Sequence, residues 1–388
     1  MLLRNSLIGF CLVMALLLVC IPVVQAEELI IPAPSAILMD AATGTVLYEK
    51  NANEKLAPAS VTKVMTLLLV MEALERGQVS MEDPVIASDA AAAKGGSQVY
   101  LEPGEQMSMD EMLKSVVVSS ANDCATALAE HIAGSEAAFV EQMNRRAAEL
   151  GMTDTHFVNC TGLDDEPNAA EHLTTAHDIA IMSRALLRHD RIRNYTTIWM
   201  DTVRNGAFGL SNTNKLVRFY EGTTGLKTGY TSSAGHCLSA SAKRDGIELI
   251  AVVMHCSSST ERFESAKAML NYGFANYALV DPEPVEMLSP IEVKLGQQRA
   301  LTPVLQASAP ILIRKGDLSK ITKTVDLPKE VEAPIAAGAP LGMLTIAAGE
   351  EVLAEIPIVA STTVEKLRLW ELTVRLLRSI CMAEPEEG

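Results

Sequence analysis

The chain reads Pro-Ala-Ser-Val-Thr-Lys at residues 58–63 and continues with the apolar run Val-Met-Thr-Leu-Leu-Leu-Val-Met at residues 64–71. A helix that is apolar nearly all round is a buried one, so this pattern predicts a buried helix that stops at Gly77. Ser60 and Lys63 are three residues apart, which places both side chains on the same face of such a helix.

The pairing of Ser60 with Lys63 suggests a chemistry. A serine hydroxyl becomes a good nucleophile when a base removes its proton, and a lysine is such a base only when its pKa falls. Burial disfavours the charged ammonium, and the positive end of the helix dipole acts in the same direction. The helix amides also point at the space in front of Ser60, where an oxyanion could form. Taken alone, the motif is better explained by a capping serine and an exposed lysine.

The N-terminus has the pattern of a secretory signal peptide over residues 1–26. Arg4 precedes an apolar core over residues 7–23, and Val24-Gln25-Ala26 has the small-residue form of a cleavage site. A transmembrane anchor is the alternative, but the run lacks a strong charged stop after it. We therefore expect an exported protein at the outer face of the cytoplasmic membrane, in the periplasm or the cell-wall space.

The composition is that of a folded protein, and the length favours two domains. The 388 residues are 48% hydrophobic, which is enough to bury a large core. A formal net charge of −16 at pH 7 argues against nucleic acid as a partner, because nothing basic would offset phosphate repulsion.

Cysteines and histidines give no sign of a metal site, and no cofactor is expected. The cysteines beyond residue 26 are scattered and odd in number: Cys124, Cys160, Cys237, Cys256 and Cys381. This spacing is neither a disulfide framework nor a zinc site, although one pair could still close in an oxidising compartment. The histidines form no ligand motif, and we interpret His156, His172 and His177 as structural.

Turn and capping residues divide the chain into elements, and Ser135 and Thr175 are predicted to cap the helices that begin there. Strands are predicted over residues 35–39, 45–48, 223–229, 236–243 and 247–256, and helices over 109–117, 124–133, 135–150, 175–187 and 261–272. Two strands early and three late, with a mostly helical insert between them, imply one antiparallel sheet flanked by helices. The prediction is an α/β (α+β) domain over residues 27–280.

A second motif, Ser120-Ala121-Asn122, follows the first helix. Ser120 can relay a proton between Lys63 and a leaving amine. Asn122 can hold a substrate amide with its carbonyl and its NH2 group. By itself, Ser-x-Asn is a common loop sequence.

A third motif, Lys227-Thr228-Gly229, lies on a predicted strand. Lys227 places a cation beside the site, suited to a substrate carboxylate and to depressing the pKa values of its neighbours. Thr228 donates a hydroxyl to the same carboxylate, and Gly229 leaves room for an acyl chain along the edge of the strand. Lys-Thr-Gly alone is a common turn, but three motifs in this order are much harder to dismiss.

Together these motifs resemble the low-molecular-mass penicillin-binding proteins that act as serine-type D-alanyl-D-alanine carboxypeptidases. The resemblance runs over most of the mature chain and includes residues 58–66, 120–123, 156–163, 225–231 and 234–235. It implies a penicillin-binding, β-lactamase-like transpeptidase fold, with Ser60 as acyl-enzyme nucleophile, Lys63 as proton acceptor and Ser120 as second catalytic serine.

The resemblance also implies residues that bind substrate. Asn122, Lys227, Thr228 and Gly229 would contact it, and the backbone amides of Ser60 and Tyr230 would form the oxyanion hole. Arg262 falls where such enzymes often keep a carboxylate-binding arginine. No strong motif surrounds Arg262, and a surface arginine on a helix explains it equally well.

The sequence leaves three alternatives to this activity. A class A-like β-lactamase would carry a Glu-x-x-Leu-Asn segment between the second and third motifs, and no such segment occurs between Asn122 and Lys227. A wall endopeptidase or a catalytically idle binder of wall peptide stays possible. The favoured function removes the terminal D-alanine from peptidoglycan stem pentapeptides, with β-lactam antibiotics acylating Ser60 and leaving slowly.

Beyond residue 280 the composition changes. Residues 281–360 alternate in short apolar runs, with Gly and Pro between them, which is typical of a small β-rich domain. Residues 361–388 have the pattern of an amphipathic helix, with Trp370 and several leucines on one face and arginines on the other. This pattern predicts a helix that lies on a membrane surface; packing on the β domain, or an oligomer contact, is the alternative.

Overall fold

The computed structural model describes residues 29–165, 168–283, 288–306, 309–371, 373–374 and 377. The chain divides into a unit of residues 1–31 and a unit of residues 32–388. All helices and strands given below belong to the second unit. The predicted signal peptide, residues 1–26, lies outside the described residues.

Helices are concentrated between the early and the late strands, as predicted. In chain order they are α1 (Lys63–Glu75), α2 (Asp89–Ala92), α3 (Met109–Val118), α4 (Asn122–Ala133), α5 (Glu136–Glu149), α6 (Ala176–Leu187), α7 (Arg193–Thr196), α8 (Leu216–Phe219) and α9 (Ser259–Asn276). Short 3-10 turns cover Ala59–Thr62, Ala169–Glu171, Asp190–Ile192 and Lys315–Lys320. The predicted serine and threonine caps are confirmed, because Ser135 and Thr175 each accept the amide three residues on.

The first domain is built on one five-stranded sheet. Its strands and two small hairpins are β1 (Ser35–Asp40), β2 (Val46–Lys50), β3 (Pro84–Ile86), β4 (Gln106–Ser108), β5 (Met200–Val203), β6 (Phe208–Ser211), β7 (Thr223–Thr231), β8 (Gly235–Arg244) and β9 (Ile247–Cys256). The sheet order is β2-β1-β9-β8-β7, and every pair is antiparallel. β7 is therefore an edge strand.

Helices cover both faces of this sheet. All of β1 and nearly all of β9 is buried, which requires packing on both sides. α9 packs against β8 and β9, and α6 packs against β9, β1 and α1. α1 is buried from Lys63 to Met71, so the prediction of a buried helix is confirmed.

The C-terminal region is a β domain, as predicted. Its strands are β10 (Tyr277–Val280), β11 (Ile291–Lys294), β12 (Ala300–Leu301), β13 (Pro303–Leu305), β14 (Ile311–Arg314), β15 (Ile321–Asp326), β16 (Glu330–Glu332), β17 (Pro340–Ala348) and β18 (Glu351–Ala360). β10 directly follows α9 and pairs with β14, so strand pairing crosses the predicted boundary at residue 280. Two small apolar clusters form its interior.

Little of the predicted C-terminal helix is described. Residues 369–371 and 373–374 are helical, and residues 378–388 lie outside the described part. Leu369 is 83% exposed, Trp370 64% and Leu377 56%. In the described residues, no helix is long and apolar enough to cross a membrane.

Candidate active site

Ser60 lies in a 3-10 turn and not on the helix. The turn spans Ala59–Thr62, and α1 begins at Lys63. The prediction that Ser60 and Lys63 share one α-helix is wrong, because Ser60 belongs to the 3-10 turn. This turn begins at Ala59, whose φ of +48° lies outside the right-handed helical region. The two side chains nevertheless meet, with Lys63 Nζ 3.0 Å from Ser60 Oγ.

A buried histidine, His172, stabilises the Ala59–Thr62 turn through Thr62. Thr62 Oγ1 donates to the carbonyl of Ala59 (2.8 Å) and lies 2.8 Å from His172 Nε2. The amide of Val158 donates to His172 Nδ1, so the ring proton is on Nε2 and is donated to Thr62. Burial lowers the pKa of His172 to about 4, which keeps the ring neutral. The structural interpretation of His172 fits these contacts.

Gly162 lies directly against the same turn. Its φ is +83°, and a Cβ on Gly162 would overlap the carbonyl oxygen of Ala59 and approach Thr62 Oγ1 to 2.7 Å. The absence of a side chain at this position therefore allows the turn that carries Ser60 to take its shape.

Gly162→Ala is expected to lower the free energy of unfolding by about 2–5 kcal/mol, from the left-handed backbone and the overlap together. The acylation of Ser60 by penicillin should slow as well, because the turn must move. Gly151→Ala is the matched control, since Gly151 has a φ of +78° with nothing within 4 Å of its Cβ position. The control should cost only about 1–2 kcal/mol in urea denaturation. Equal losses in the two variants would contradict the steric argument.

Lys63 is buried and surrounded by oxygen atoms. Besides Ser60, its Nζ contacts Asn122 Oδ1 at 2.5 Å and the carbonyl of Thr161 at 2.8 Å. Burial lowers the pKa of Lys63 to about 7, against the opposing charge of Asp123. A carbonyl and an amide oxygen can only accept, so they take the two N–H groups of the neutral amine and leave its lone pair for the Ser60 hydroxyl.

The second motif reaches the site through Asn122. Asn122 Nδ2 donates to the carbonyl of Gly95 (2.7 Å), and its Oδ1 accepts from Lys63. The amide oxygen predicted to hold the substrate therefore binds the lysine in this structure. Ser120 is buried with a φ of +63°, a strained backbone of the kind found at functional sites. In the part of the chain that the structure describes, no hydrogen bond joins Ser120 to Lys63.

Asp123, which the sequence analysis did not single out, fixes the loop beside this motif. Its carboxylate accepts the amides of Val99 (3.1 Å), Leu101 (3.1 Å) and Cys124 (2.9 Å). An acidic residue in the first turn of a helix is a recognisable signal for such contacts. Its partners, some twenty residues earlier, could not be read from the sequence.

The third motif lies on the edge strand β7. Lys227 is buried, and its Nζ donates to the carbonyl of Thr228 (3.0 Å). Burial, and then the charges of Lys63 and Arg262, lower the pKa of Lys227 well below its usual value. Thr228 Oγ1 donates to Thr213 Oγ1 (2.7 Å). Lys63 and Arg262 therefore lie close enough to Lys227 to act on its charge.

Gly229 brings β7 against the nucleophile turn. A Cβ on Gly229 would lie 2.6 Å from the carbonyl of Pro58 and 3.0 Å from the amide of Ser60. The backbone of the turn is therefore enough to explain why residue 229 has no side chain. The predicted role of Gly229, room for an acyl chain, stays a prediction. The next residue, Tyr230, is 60% exposed and stacks on His236, with ring centroids 4.4 Å apart.

Arg262 is not a surface residue. It is only 7% exposed, and its Nη1 donates to the carbonyls of Gly229 (3.1 Å) and Cys237 (3.3 Å). The alternative of an exposed arginine is therefore wrong. Its Nε is buried and, among the described residues, has no partner.

The described residues contain no candidate metal site. Over the described ranges, no group of three or more His, Cys, Asp or Glu residues could hold a metal ion. Cys124, Cys160, Cys237 and Cys256 are buried free thiols, and Cys381 lies outside the described residues.

Comparison with known families agrees with this geometry. Residues 23–258 match peptidase S11, D-alanyl-D-alanine carboxypeptidase, which is more than half of the chain. The chain belongs to this family. Residues 284–366 match the C-terminal domain of penicillin-binding protein 5.

Individual relatives of this S11 chain include both enzymes and solved structures. D-alanyl-D-alanine carboxypeptidase DacF of Bacillus subtilis is 42% identical over 350 residues, covering 88% of each chain. Penicillin-binding protein 5 from Haemophilus influenzae superposes with a TM-score of 0.72 at 30% identity, covering 87% of this chain and 98% of that one. Penicillin-binding protein D2 from Listeria monocytogenes, in an ampicillin-bound form, gives 0.58 at 29% identity, covering 64% and 99%.

The S11 chain is a serine-type D-alanyl-D-alanine carboxypeptidase, a hydrolase of the penicillin-binding protein family. The predicted fold, a transpeptidase domain with an antiparallel sheet and helices followed by an all-β domain, is confirmed.

Proposed function

We propose that Ser60 is the acyl-enzyme nucleophile and Lys63 its base. The observation that carries this is the 3.0 Å contact between Lys63 Nζ and Ser60 Oγ, at a lysine whose pKa burial lowers to about 7. Asn122 Oδ1 and the Thr161 carbonyl orient the neutral amine, as described above, so that its lone pair faces the hydroxyl. An idle binder of wall peptide would need neither the burial nor this orientation.

The reaction then proceeds in two stages. Ser60 Oγ attacks the carbonyl between the two terminal D-alanines as its proton moves to Lys63, and the amides of Ser60 and Tyr230 hold the oxyanion. The C–N bond breaks, and Ser120 passes the proton from Lys63 to the amine of the departing D-alanine. Water hydrolyses the ester and restores the Ser60 hydroxyl. The close packing of Gly229 on Ser60 supports the proposed oxyanion hole.

Lys227, Thr228 and Arg262 are the proposed binding site for the substrate carboxylate. The buried Arg262 guanidinium, the buried Lys227 amine and the Thr228 hydroxyl favour a substrate that ends in a carboxylate. Asn122 retains a second N–H for the substrate amide. A stem peptide that ends in D-alanine satisfies both requirements.

The function is tested by incubating the purified protein with a synthetic stem pentapeptide and measuring free D-alanine. We expect release of one D-alanine per pentapeptide and none from the tetrapeptide product. Cleavage of a cross-linked dimer in preference to the pentapeptide would mean that the endopeptidase alternative is the main activity. No release from either would contradict the proposal.

The rate of acylation by a fluorescent penicillin is expected to rise with pH around a midpoint near 7. Only the neutral amine of Lys63 can accept a proton, and its pKa is lowered to about 7. Below the midpoint the rate should fall by about tenfold per pH unit, and above it the rate should level off. Labelling rates, corrected for the folded fraction at each pH, check this. A rate that is flat across neutral pH would contradict Lys63 as the base.

β-Lactam antibiotics are the proposed inhibitors. The neighbouring Listeria structure is an ampicillin-bound form, and this chain lacks the Glu-x-x-Leu-Asn segment with which class A β-lactamases activate water. A penicillin should therefore acylate Ser60 and leave slowly.

Export and membrane attachment complete the proposal. Residues 1–26 have the pattern of a signal peptide, and a substrate in the cell wall requires export. The exposed Leu369, Trp370 and Leu377 support a C-terminal helix that lies on the outer face of the membrane. The boundaries at residues 26, 280 and 360 stay predictions.

A further inference from the structure

Glu136 joins two segments that flank the site, and none of the motifs includes it. It is the first residue of α5 and contacts neither Ser60 nor Lys63. Its Oε2 lies 2.8 Å from Lys94 Nζ. Its Oε1 accepts the amide of Cys160 (3.2 Å) and the thiol of the same residue (3.1 Å).

Both partners of Glu136 directly precede a carbonyl that holds the site. Lys94 precedes Gly95, whose carbonyl accepts Asn122 Nδ2. Cys160 precedes Thr161, whose carbonyl accepts Lys63 Nζ. Lys63 also contacts Asn122, so these contacts close a ring. Its members, in order, are Glu136, Lys94, Gly95, Asn122, Lys63, Thr161 and Cys160.

The surroundings of Glu136 and Cys160 determine which of the two groups is ionised. Burial pushes the pKa of Glu136 upward, but hydrogen bonds and the charge of Lys94, together with the Cys160 donors, leave it below its usual value. Burial raises the pKa of the Cys160 thiol well above its usual value, so the thiol stays protonated and donates. At neutral pH the ring therefore contains an ionised carboxylate beside a lysine ammonium.

We propose that Glu136 is a positioning residue for acylation: by fixing Lys94 and Cys160 it holds the Gly95 and Thr161 carbonyls that aim Lys63 at Ser60. This deepens the proposed function and rests on the roles given there to Ser60 and Lys63. A lysine with free rotation about four bonds aims its lone pair only if both of its acceptors are fixed. Thr66 of α1 also donates to the Cys160 carbonyl (2.6 Å), which ties the ring to the helix of Lys63.

Glu136→Gln is the test, because it keeps the side chain's shape and removes its charge. Glu72→Gln is the matched control. Glu72 is equally buried, with 15% of its side chain exposed against 21% for Glu136, and its Oε1 lies 2.8 Å from Arg146 Nε. Its ion pair joins α1 to α5 without a contact to either carbonyl. The second-order rate of acylation by a fluorescent penicillin, per folded molecule, is compared in the two variants, with thermal unfolding in parallel.

We expect Glu136→Gln to slow acylation by about 10- to 100-fold, the loss that a small displacement of a reacting group produces. Glu72→Gln should stay within twofold of wild type even where it lowers the melting temperature. Lys94→Met should reproduce the loss, and the double variant should lose no more than either single one. Acylation within twofold of wild type in Glu136→Gln would overturn the inference. A wild type that fails to acylate would instead reject the proposed function.

The pH dependence of the acylation rate in Glu136→Gln distinguishes two roles for Glu136: positioning Lys63, or changing the pKa of Lys63 by its charge. Among the titratable groups around Lys63, Cys160 and Asp123 act on its pKa, and the charge of Lys63 in turn lowers the pKa values of His172 and Lys227. A positioning role predicts that the rate loss persists on the plateau above the midpoint. A loss that disappears there would mean that Glu136 acts on the lysine by charge, and would overturn the inference.

Discussion

Ser60→Ala is expected to abolish both penicillin labelling and D-alanine release, with a loss of about 10⁴-fold or more in either rate. The hydroxyl forms the covalent bond in both reactions, so no neighbouring group can substitute for it. The variant should fold normally, because the Ser60 side chain is only half-buried and its hydrogen-bond partner, Lys63, keeps two other acceptors.

Labelling with fluorescent penicillin and D-alanine release measured on the same sample check this prediction. Ser80→Ala is the control: Ser80 is exposed and bonds Asp83 in a surface turn, so both activities should persist. Labelling that survives in Ser60→Ala would place the nucleophile elsewhere.

Lys63→Met is expected to slow acylation by about 10²–10⁴-fold, the contribution of a positioned general base. Methionine matches the length and the burial of the lysine stem but offers no lone pair of useful basicity. It also leaves the Thr161 carbonyl and Asn122 Oδ1 without their donor. The measurement is the acylation rate of the folded fraction.

A second variant distinguishes a base from a mere cation. Lys63→Arg keeps a positive charge but stays protonated at any accessible pH, so it should be as slow as Lys63→Met. Lys55→Met, at an exposed lysine paired with Asp154, should leave the rate unchanged. An arginine variant that regains the wild-type rate would contradict the assignment of Lys63 as the base.

Much of the catalytic domain follows from local patterns. The run after Lys63 is apolar on all sides, and only a helix buried all round satisfies it. The caps at Ser135 and Thr175 are local side-chain contacts, so their positions were predicted to the residue. The five-stranded sheet follows from the apolar runs, because two early and three late runs predict five strands, and these five strands pair in one sheet.

The turn at Ser60 could not be predicted in this way. Its shape depends on Gly162, on Gly229 and on the His172–Thr62 contact, which come from parts of the chain about 100 or more residues away. A capping serine at residue 60 gives no signal for the left-handed backbone of Ala59. The roles of Asp123 and Glu136 were missed for the same reason, because each is defined by loops distant in sequence.

The β domain shows the same limit. Apolar runs mark the longer strands β17 and β18, whereas β12, β13, β15 and β16 are short or largely exposed and give no comparable pattern. The pairing of β10 with β14 joins segments on either side of the predicted boundary at residue 280. The composition marks this boundary but not the strand pairing that crosses it.

The most direct test of the proposed mechanism is to locate the penicillin adduct. The purified protein is reacted with benzylpenicillin, digested, and its peptides are sequenced by tandem mass spectrometry. We predict one adduct per chain, on Ser60, within the peptide that contains residues 58–63. An adduct on Ser120 or on any other residue, or the absence of a covalent adduct, would contradict the acyl-enzyme assignment.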